Sequence, residues 1–102
     1  MTQKGYLYAE LTVTDPARFH DEYMPRVRPV LKEYGATFLI ATDHPDVVEG
    51  GRTVKRIIVL EFETPEIAHT FYYSEAYQEV MRYRTDSAET HLYLLDGLPV
   101  DG

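Results

Sequence analysis

The stretch Gly5–Val13, GYLYAELTV, decides how the rest of the chain is read. Leu7, Ala9, Leu11 and Val13 fall on one side of an extended backbone, and Tyr6, Tyr8, Glu10 and Thr12 on the other. This period of two marks a strand with one apolar and one amphipathic face. Directly after it, Asp15-Pro16 reads as a helix N-cap followed by proline at the first helical position. Gly35 supplies the matching stop, so the helix runs to about Tyr34. At about 100° per residue, Phe19, Tyr23, Val27, Val30 and Tyr34 form one stripe. Pro25 and Pro29 fall on the opposite, solvent-facing side. Each removes a helical hydrogen bond and crowds the carbonyl four residues back, so a kinked or interrupted helix is expected.

Working outward, Thr37–Thr42, TFLIAT, is a second strand, broken by Asp43-His44-Pro45. Asp46–Glu49 reads as a brief extended piece before the Gly50-Gly51 turn. Arg56–Phe62, RIIVLEF, is apolar on both faces and is expected to be covered on both. Thr64-Pro65-Glu66 repeats the cap-then-proline signal of a helix start. Ser74 caps a further helix from Glu75, although the reciprocal capping box is missing, because Tyr77 stands where Glu or Gln is required. Thr90–Asp96, THLYLLD, is a fourth strand ended by Gly97, and Leu98–Gly102 is a loose tail.

The order strand, helix, strand, strand, helix, strand predicts an α+β, ferredoxin-like βαββαβ fold. Its four-stranded antiparallel sheet carries helices on one face, and one domain spans residues 1–102. Leu92 and Leu94 then join Leu7, Ala9 and Leu11 on the helix side. Tyr6, Tyr8, Glu10, His91 and Tyr93 crowd the other face. Such an aromatic face calls for a cover, and the simplest is a second copy, sheet against sheet, in a two-fold homodimer. A monomer with an amphipathic solvent face is the plainer alternative.

Composition narrows the function classes. The net charge of −7 argues against non-specific binding to nucleic acid or to an anionic membrane surface. No cysteine is present, which excludes disulfides, thiolate nucleophiles and thiolate metal sites. Neither a signal peptide nor a membrane-length apolar run is visible, so a cytoplasmic location is expected. Nine tyrosines against four phenylalanines and no tryptophan point to interfaces or semi-polar cavities, since a tyrosine ring buries while its hydroxyl seeks a partner. The four histidines lack metal-binding spacing. There is no glycine-rich phosphate loop and no haem attachment motif, so no cofactor is expected.

Four stretches together resemble one family: KGY at Lys4–Tyr6, TDP at Thr14–Pro16, EYGATFL at Glu33–Leu39 and FYYSEAYQEVMRYR at Phe71–Arg84. Their order and spacing, above all Ser74, Tyr77 and Arg84, are similar to the domain of unknown function 1330, within the dimeric α+β barrel superfamily. The resemblance implies the ferredoxin-like fold and a homodimer, but no activity. Relatives in that superfamily include cofactor-free monooxygenases, isomerases, polyketide cyclases and haem enzymes, so fold is a poor guide to chemistry here. Two departures stand out. Where family members often continue the second strand into an arginine and glycines, this chain has Ala41-Thr42-Asp43-His44. The first helix is also one residue longer than the family pattern.

In the helix after Ser74, Tyr77, Val80, Met81 and Arg84 share one face. Arg84 is therefore a candidate to hold a carboxylate or enolate, or else a structural ion pair or a cation at a helix C-terminus. Glu10 and His91 lie on neighbouring strands and form a candidate acid–base pair, or a buried hydrogen-bonded pair at an interface. His20 sits at the edge of the first helical stripe, either facing a cavity or simply exposed. His44 is a candidate rim residue. The functional expectation is a cofactor-free enzyme of isomerase, cyclase, lyase or oxygenase type, acting on a small aromatic or carbonyl-bearing molecule. Tyr8, Tyr23, Tyr72, Tyr77 and Tyr93 would line its pocket. Glu10, His20 or His91 would move a proton, and Arg84 would stabilise negative charge. A non-catalytic dimeric small-molecule-binding protein is the competing expectation.

Overall fold

A computed structural model describes residues 3–100 of the chain. Four strands, β1 (Gly5–Val13), β2 (Thr37–Thr42), β3 (Arg56–Phe62) and β4 (Ala88–Asp96), form one sheet of order β2-β3-β1-β4. Every neighbouring pair is antiparallel. Along β1 buried and half-buried residues alternate as the period of two requires. Register fixes the faces. Leu7 stands opposite Leu60 and Leu94, and Ala9 opposite Ile58 and Leu92, on the helix side. Tyr8 stands opposite Val59 and Tyr93, and Glu10 opposite Ile57 and His91, on the outer side. β4 begins two residues earlier than its sequence pattern suggests, because Val13 pairs with Ala88 and extends the ladder.

The helices are α1 (Pro16–Arg18), α2 (Met24–Glu33), α3 (Pro65–Tyr73) and α4 (Glu75–Thr85). Three caps act as the sequence predicts. Asp15 accepts from the Arg18 amide at 3.1 Å, Thr64 from the Ile67 amide at 3.1 Å, and Ser74 from the Tyr77 amide at 3.1 Å. Ser74 also donates its hydroxyl to the Phe71 carbonyl at 2.7 Å, which closes the end of α3 as it opens α4.

The interruption expected from the prolines is a π-helical turn, Phe19–Tyr23, between α1 and α2. The Met24 amide reaches back five residues to the Phe19 carbonyl. Pro25 then falls in the first turn of α2, directly after the π turn. Pro29 lies inside α2 on its exposed side. The wider turn absorbs an extra residue and delays the helical phase of the residues after it. The buried line accordingly runs through Phe19, Tyr23, Val27 and Leu31, with Val30 and Tyr34 at its margin. An unbroken helix wheel places Val30 on that line and misses Leu31.

Asp46–Glu49 joins no sheet; residues 43–55 form an irregular connection. Gly50 and Gly51 turn it at φ 101° and 63°, and Val48 is exposed. Within one copy of the chain, helices cover one face of β3. Ile58, Leu60 and Phe62 are buried under helices, whereas Ile57 and Val59 are half-buried on the outer face. Phe19, Phe62, Phe71 and Tyr77 are fully buried between sheet and helices, and each such side chain contributes about 1.5–3 kcal/mol of burial energy. No described helix is long and apolar enough to cross a membrane.

Candidate functional site

Helix α4 brings Tyr77, Val80 and Arg84 to the core. Side chains on a helix lean toward its N-terminus, and two turns separate Arg84 from Tyr77. The Arg84 side chain runs back along α4, and its Nε donates to the Tyr77 hydroxyl at 3.2 Å. That hydroxyl lies 3.0 Å from the Tyr23 hydroxyl, delivered by the π turn. The result is a buried relay from Arg84 through Tyr77 to Tyr23. Arg84 therefore does not complement the carbonyls at its own helix end.

Arg84 is 6% exposed, and among the described residues no carboxylate lies within ion-pair distance of its guanidinium. Burial works against its charge, while the Tyr77 and Tyr23 oxygens favour it and leave the balance above the ordinary arginine value. Burial, then the neighbouring Tyr77, raises the Tyr23 pKa well above the ordinary tyrosine range, so Tyr23 is a neutral hydroxyl at physiological pH.

The relay forms one wall of a cavity between helices and sheet, otherwise apolar and lined by Phe19, Val27, Ile58 and Leu60 among others. Its free volume is about 40 Å³. That is room for a few water molecules rather than an aromatic ring. Met24 and Phe38 line it while retaining some exposure, which places them at its mouth. The relay and the apolar wall together suit a ligand with an apolar body and one oxygen that is, or becomes, negative.

The single pocket expected from five tyrosines does not exist. Tyr23 and Tyr77 line the cavity, and Tyr72 stands behind Tyr77 with ring centroids 5.5 Å apart. Tyr8 and Tyr93 stack on the opposite face of the sheet, 6.0 Å apart, because residues of their parity point outward. Glu10 and His91 are direct cross-strand partners on that same outer face. The Glu10 carboxylate accepts from Tyr8 at 3.0 Å and from Arg52 at 2.6 Å. His20 is exposed, with its ring edge-on to Phe19 and outside the cavity lining. His44 is exposed in the loop after β2 and also stands apart from the cavity, while the adjacent Asp43 pairs with Arg56.

Two contributors escaped the sequence. Phe19 appeared only as a core residue, although its spacing of four from Tyr23 was the available signal. Arg52 sits in an irregular loop, and nothing local to it announces a reach to Glu10.

A four-stranded antiparallel sheet of order β2-β3-β1-β4, backed on one face by helices that enclose a small, largely apolar cavity, defines a ferredoxin-like α+β protein. The chain belongs to the domain of unknown function 1330 family, which it matches over residues 4–98. No curated protein sequence matches it. Among solved structures it is similar to a protein of unknown function from Rhodopseudomonas palustris, with TM-score 0.74, 12% identity, and coverage of 98% of this chain and 86% of that one. It is similar to a dabb family protein with a ferredoxin-like fold from Mesorhizobium loti, with TM-score 0.64, 12% identity, and coverage of 97% and 99%. It is also similar to SnoaB, a cofactor-independent oxygenase from Streptomyces nogalater, with TM-score 0.64, 10% identity, and coverage of 98% and 97%. At these identities the likeness is one of fold.

Proposed function

We propose that this protein is a cofactor-free enzyme acting on a small aromatic or carbonyl-bearing molecule, which enters by displacing Met24 and Phe38 at the mouth of the cavity of about 40 Å³, with Arg84 holding the negative charge that develops on a substrate oxygen. One observation carries the reading. A guanidinium is buried at an apolar cavity with no carboxylate among the described residues within ion-pair distance of it. Such a charge costs several kcal/mol to bury and is offset when a ligand supplies the missing anion. Tyr77 orients the guanidinium, and Tyr23 extends the donor network. The fold shared with a cofactor-independent oxygenase supports the reading by analogy.

The cavity also restricts the chemistry. Among the described residues that line it, none is a carboxylate or an imidazole. Proton removal by a protein base is therefore not part of the reading. The substrate must carry an acidic proton of its own, as enolisable dicarbonyls and phenols do, and the cavity stabilises the anion formed. The same lack of a base favours a second reading, in which the cavity binds such an anion without turnover.

The reading includes a homodimer joined through the outer face of the sheet, supported by half-exposed Ile40, Tyr93 and Leu95 on that face. No nucleic acid or membrane partner enters it.

Calorimetry with a panel of phenols and β-dicarbonyl compounds tests both readings. One class is expected to bind, and Arg84→Met is expected to weaken it by about tenfold or more while remaining folded. Exchange of the carbon-bound acidic proton of a β-dicarbonyl compound for solvent deuterium, with water taking the proton, faster with wild type than with Arg84→Met, marks an enzyme; binding without exchange marks the second reading. Equal binding by wild type and Arg84→Met across the panel removes Arg84, and with it the proposal.

A further inference from the structure

Tyr83 neighbours Arg84 on α4 but faces a different region, an open groove between α2 and α4 of about 740 Å³. Three guanidinium carbons surround its ring, Arg26 at 4.3 Å, Arg18 at 5.0 Å and Arg82 at 5.1 Å from the centroid. They are not equivalent. Arg18 is neutralised by Glu22 and Asp86, each at 3.2 Å. Arg26 donates only to the backbone oxygen of Glu22, at 2.8 Å, and Arg82 to the Tyr83 hydroxyl at 3.3 Å. Among the described residues neither has a carboxylate within ion-pair distance.

Two guanidiniums without an ion-pair partner among the described residues thus flank one phenol. The phenol responds to them. The hydrogen bond from Arg82, then the charge of Arg26, lowers its pKa from the ordinary tyrosine value. Because Arg82 donates to the Tyr83 oxygen, the phenolic hydrogen is free to donate elsewhere. Val30, Ala76 and Val80 line the groove beside these donors, and Glu79 is its acidic member.

We propose that the groove is an anion-binding site, separate from the cavity, for a small organic phosphate or carboxylate. Arg26 and Arg82 take the acid group, the Tyr83 hydroxyl donates to it, and the strip of Val30, Ala76 and Val80 takes the apolar body. Guanidinium forks match both acid groups in geometry, and the body distinguishes such a ligand from a free inorganic ion. Glu79 disfavours a ligand with a second acid group at its own end of the groove.

The test is a titration of the full chain with phenyl phosphate, benzoate and inorganic phosphate, followed by nuclear magnetic resonance of backbone amides and arginine side chains. Signals of Arg26, Arg82 and Tyr83 are expected to move together and saturate with phenyl phosphate or benzoate. The tighter of these two identifies the preferred acid, and inorganic phosphate binds more weakly than phenyl phosphate. Arg26→Gln combined with Arg82→Gln weakens binding by about tenfold or more. Arg84→Met leaves it unchanged, which separates this site from the cavity. The proposal is overturned if no ligand moves these signals beyond sodium chloride of equal ionic strength. It is equally overturned if the folded double variant binds as wild type does. Should the double variant lose its fold, Arg82→Gln and Tyr83→Phe are judged by the same criterion.

Discussion

A buried arginine is normally explained by the carboxylate beside it, and Arg84 has a phenol instead. Its place on the apolar side of α4 was legible, because Tyr77, Val80 and Arg84 recur at helical spacing. Its partner was half legible. Tyr77 lies seven residues away on the same helix, but Tyr23 is 54 residues from Tyr77 and arrives through a turn that no periodicity announces. The relay makes the protein's alkaline stability depend on Tyr23. Folding raises the Tyr23 pKa, so the folded state holds that proton more tightly than the unfolded state. The contribution is fully present below the unfolded tyrosine value of about 10 and is lost as pH rises through the folded value. Denaturant melts at increasing alkaline pH should show the loss, and Tyr23→Phe should flatten it. At neutral pH the same variant is expected to lose only about 0.5–1.5 kcal/mol, the net value of one hydrogen bond. Tyrosinate absorbance should show Tyr83, whose pKa is lowered, ionising early and Tyr23 late. An alkaline slope identical in wild type and Tyr23→Phe would contradict the buried relay.

At the scale of elements, start and stop signals were read correctly wherever the chemistry is local. Asp15, Thr64 and Ser74 each cap the helix they precede. The first helix was harder, because its two prolines announce an interruption without saying which hydrogen bonds reorganise. The answer depends on keeping both Phe19 and Tyr23 against the sheet, which is a tertiary demand. The π turn meets it by absorbing one extra residue. Ser74 offers the cleanest test of an element junction. Its hydroxyl accepts from the Tyr77 amide and donates to the Phe71 carbonyl, serving two helices at once. Ser74→Ala leaves one amide and one carbonyl without these partners, and is expected to cost about 1–2 kcal/mol, toward the upper end for a cap. Urea unfolding measures it. Because Tyr77 is the middle member of the relay, ligand affinity at the cavity should fall with the cap. A loss of stability near zero would mean that tertiary contacts alone fix the junction.

For the whole molecule, the decisive feature is that its two sheet faces are treated differently. The Cα extents are 43 × 37 × 16 Å, and the shortest leaves room for one sheet and one helical layer only. Which residues face outward was legible from strand parity, since Tyr8, Glu10, His91 and Tyr93 all lie where alternation puts them. What covers them was not, because a chain's own periodicity says nothing about a neighbouring molecule. The outer face brings together Ile40, Ile57, Val59, Tyr93 and Leu95, with Ile40, Tyr93 and Leu95 each about half exposed. Four strands about 4.8 Å apart give a face on the order of the roughly 800 Å² per partner that stable interfaces bury. The expected outcome is a dimer in sedimentation equilibrium at micromolar concentration. Tyr93→Glu sets a carboxylate against Tyr8 at the middle of the face, and like charges meet across the two-fold axis if two copies pair there. That variant should sediment as a monomer and keep its helical and strand signals, since a half-exposed position contributes little to the monomer's own core. Its ligand affinity should survive, because the cavity and Arg84 lie on the other side of the sheet. A wild-type monomer at that concentration would remove the homodimer, and the amphipathic face would then be a surface that water alone covers.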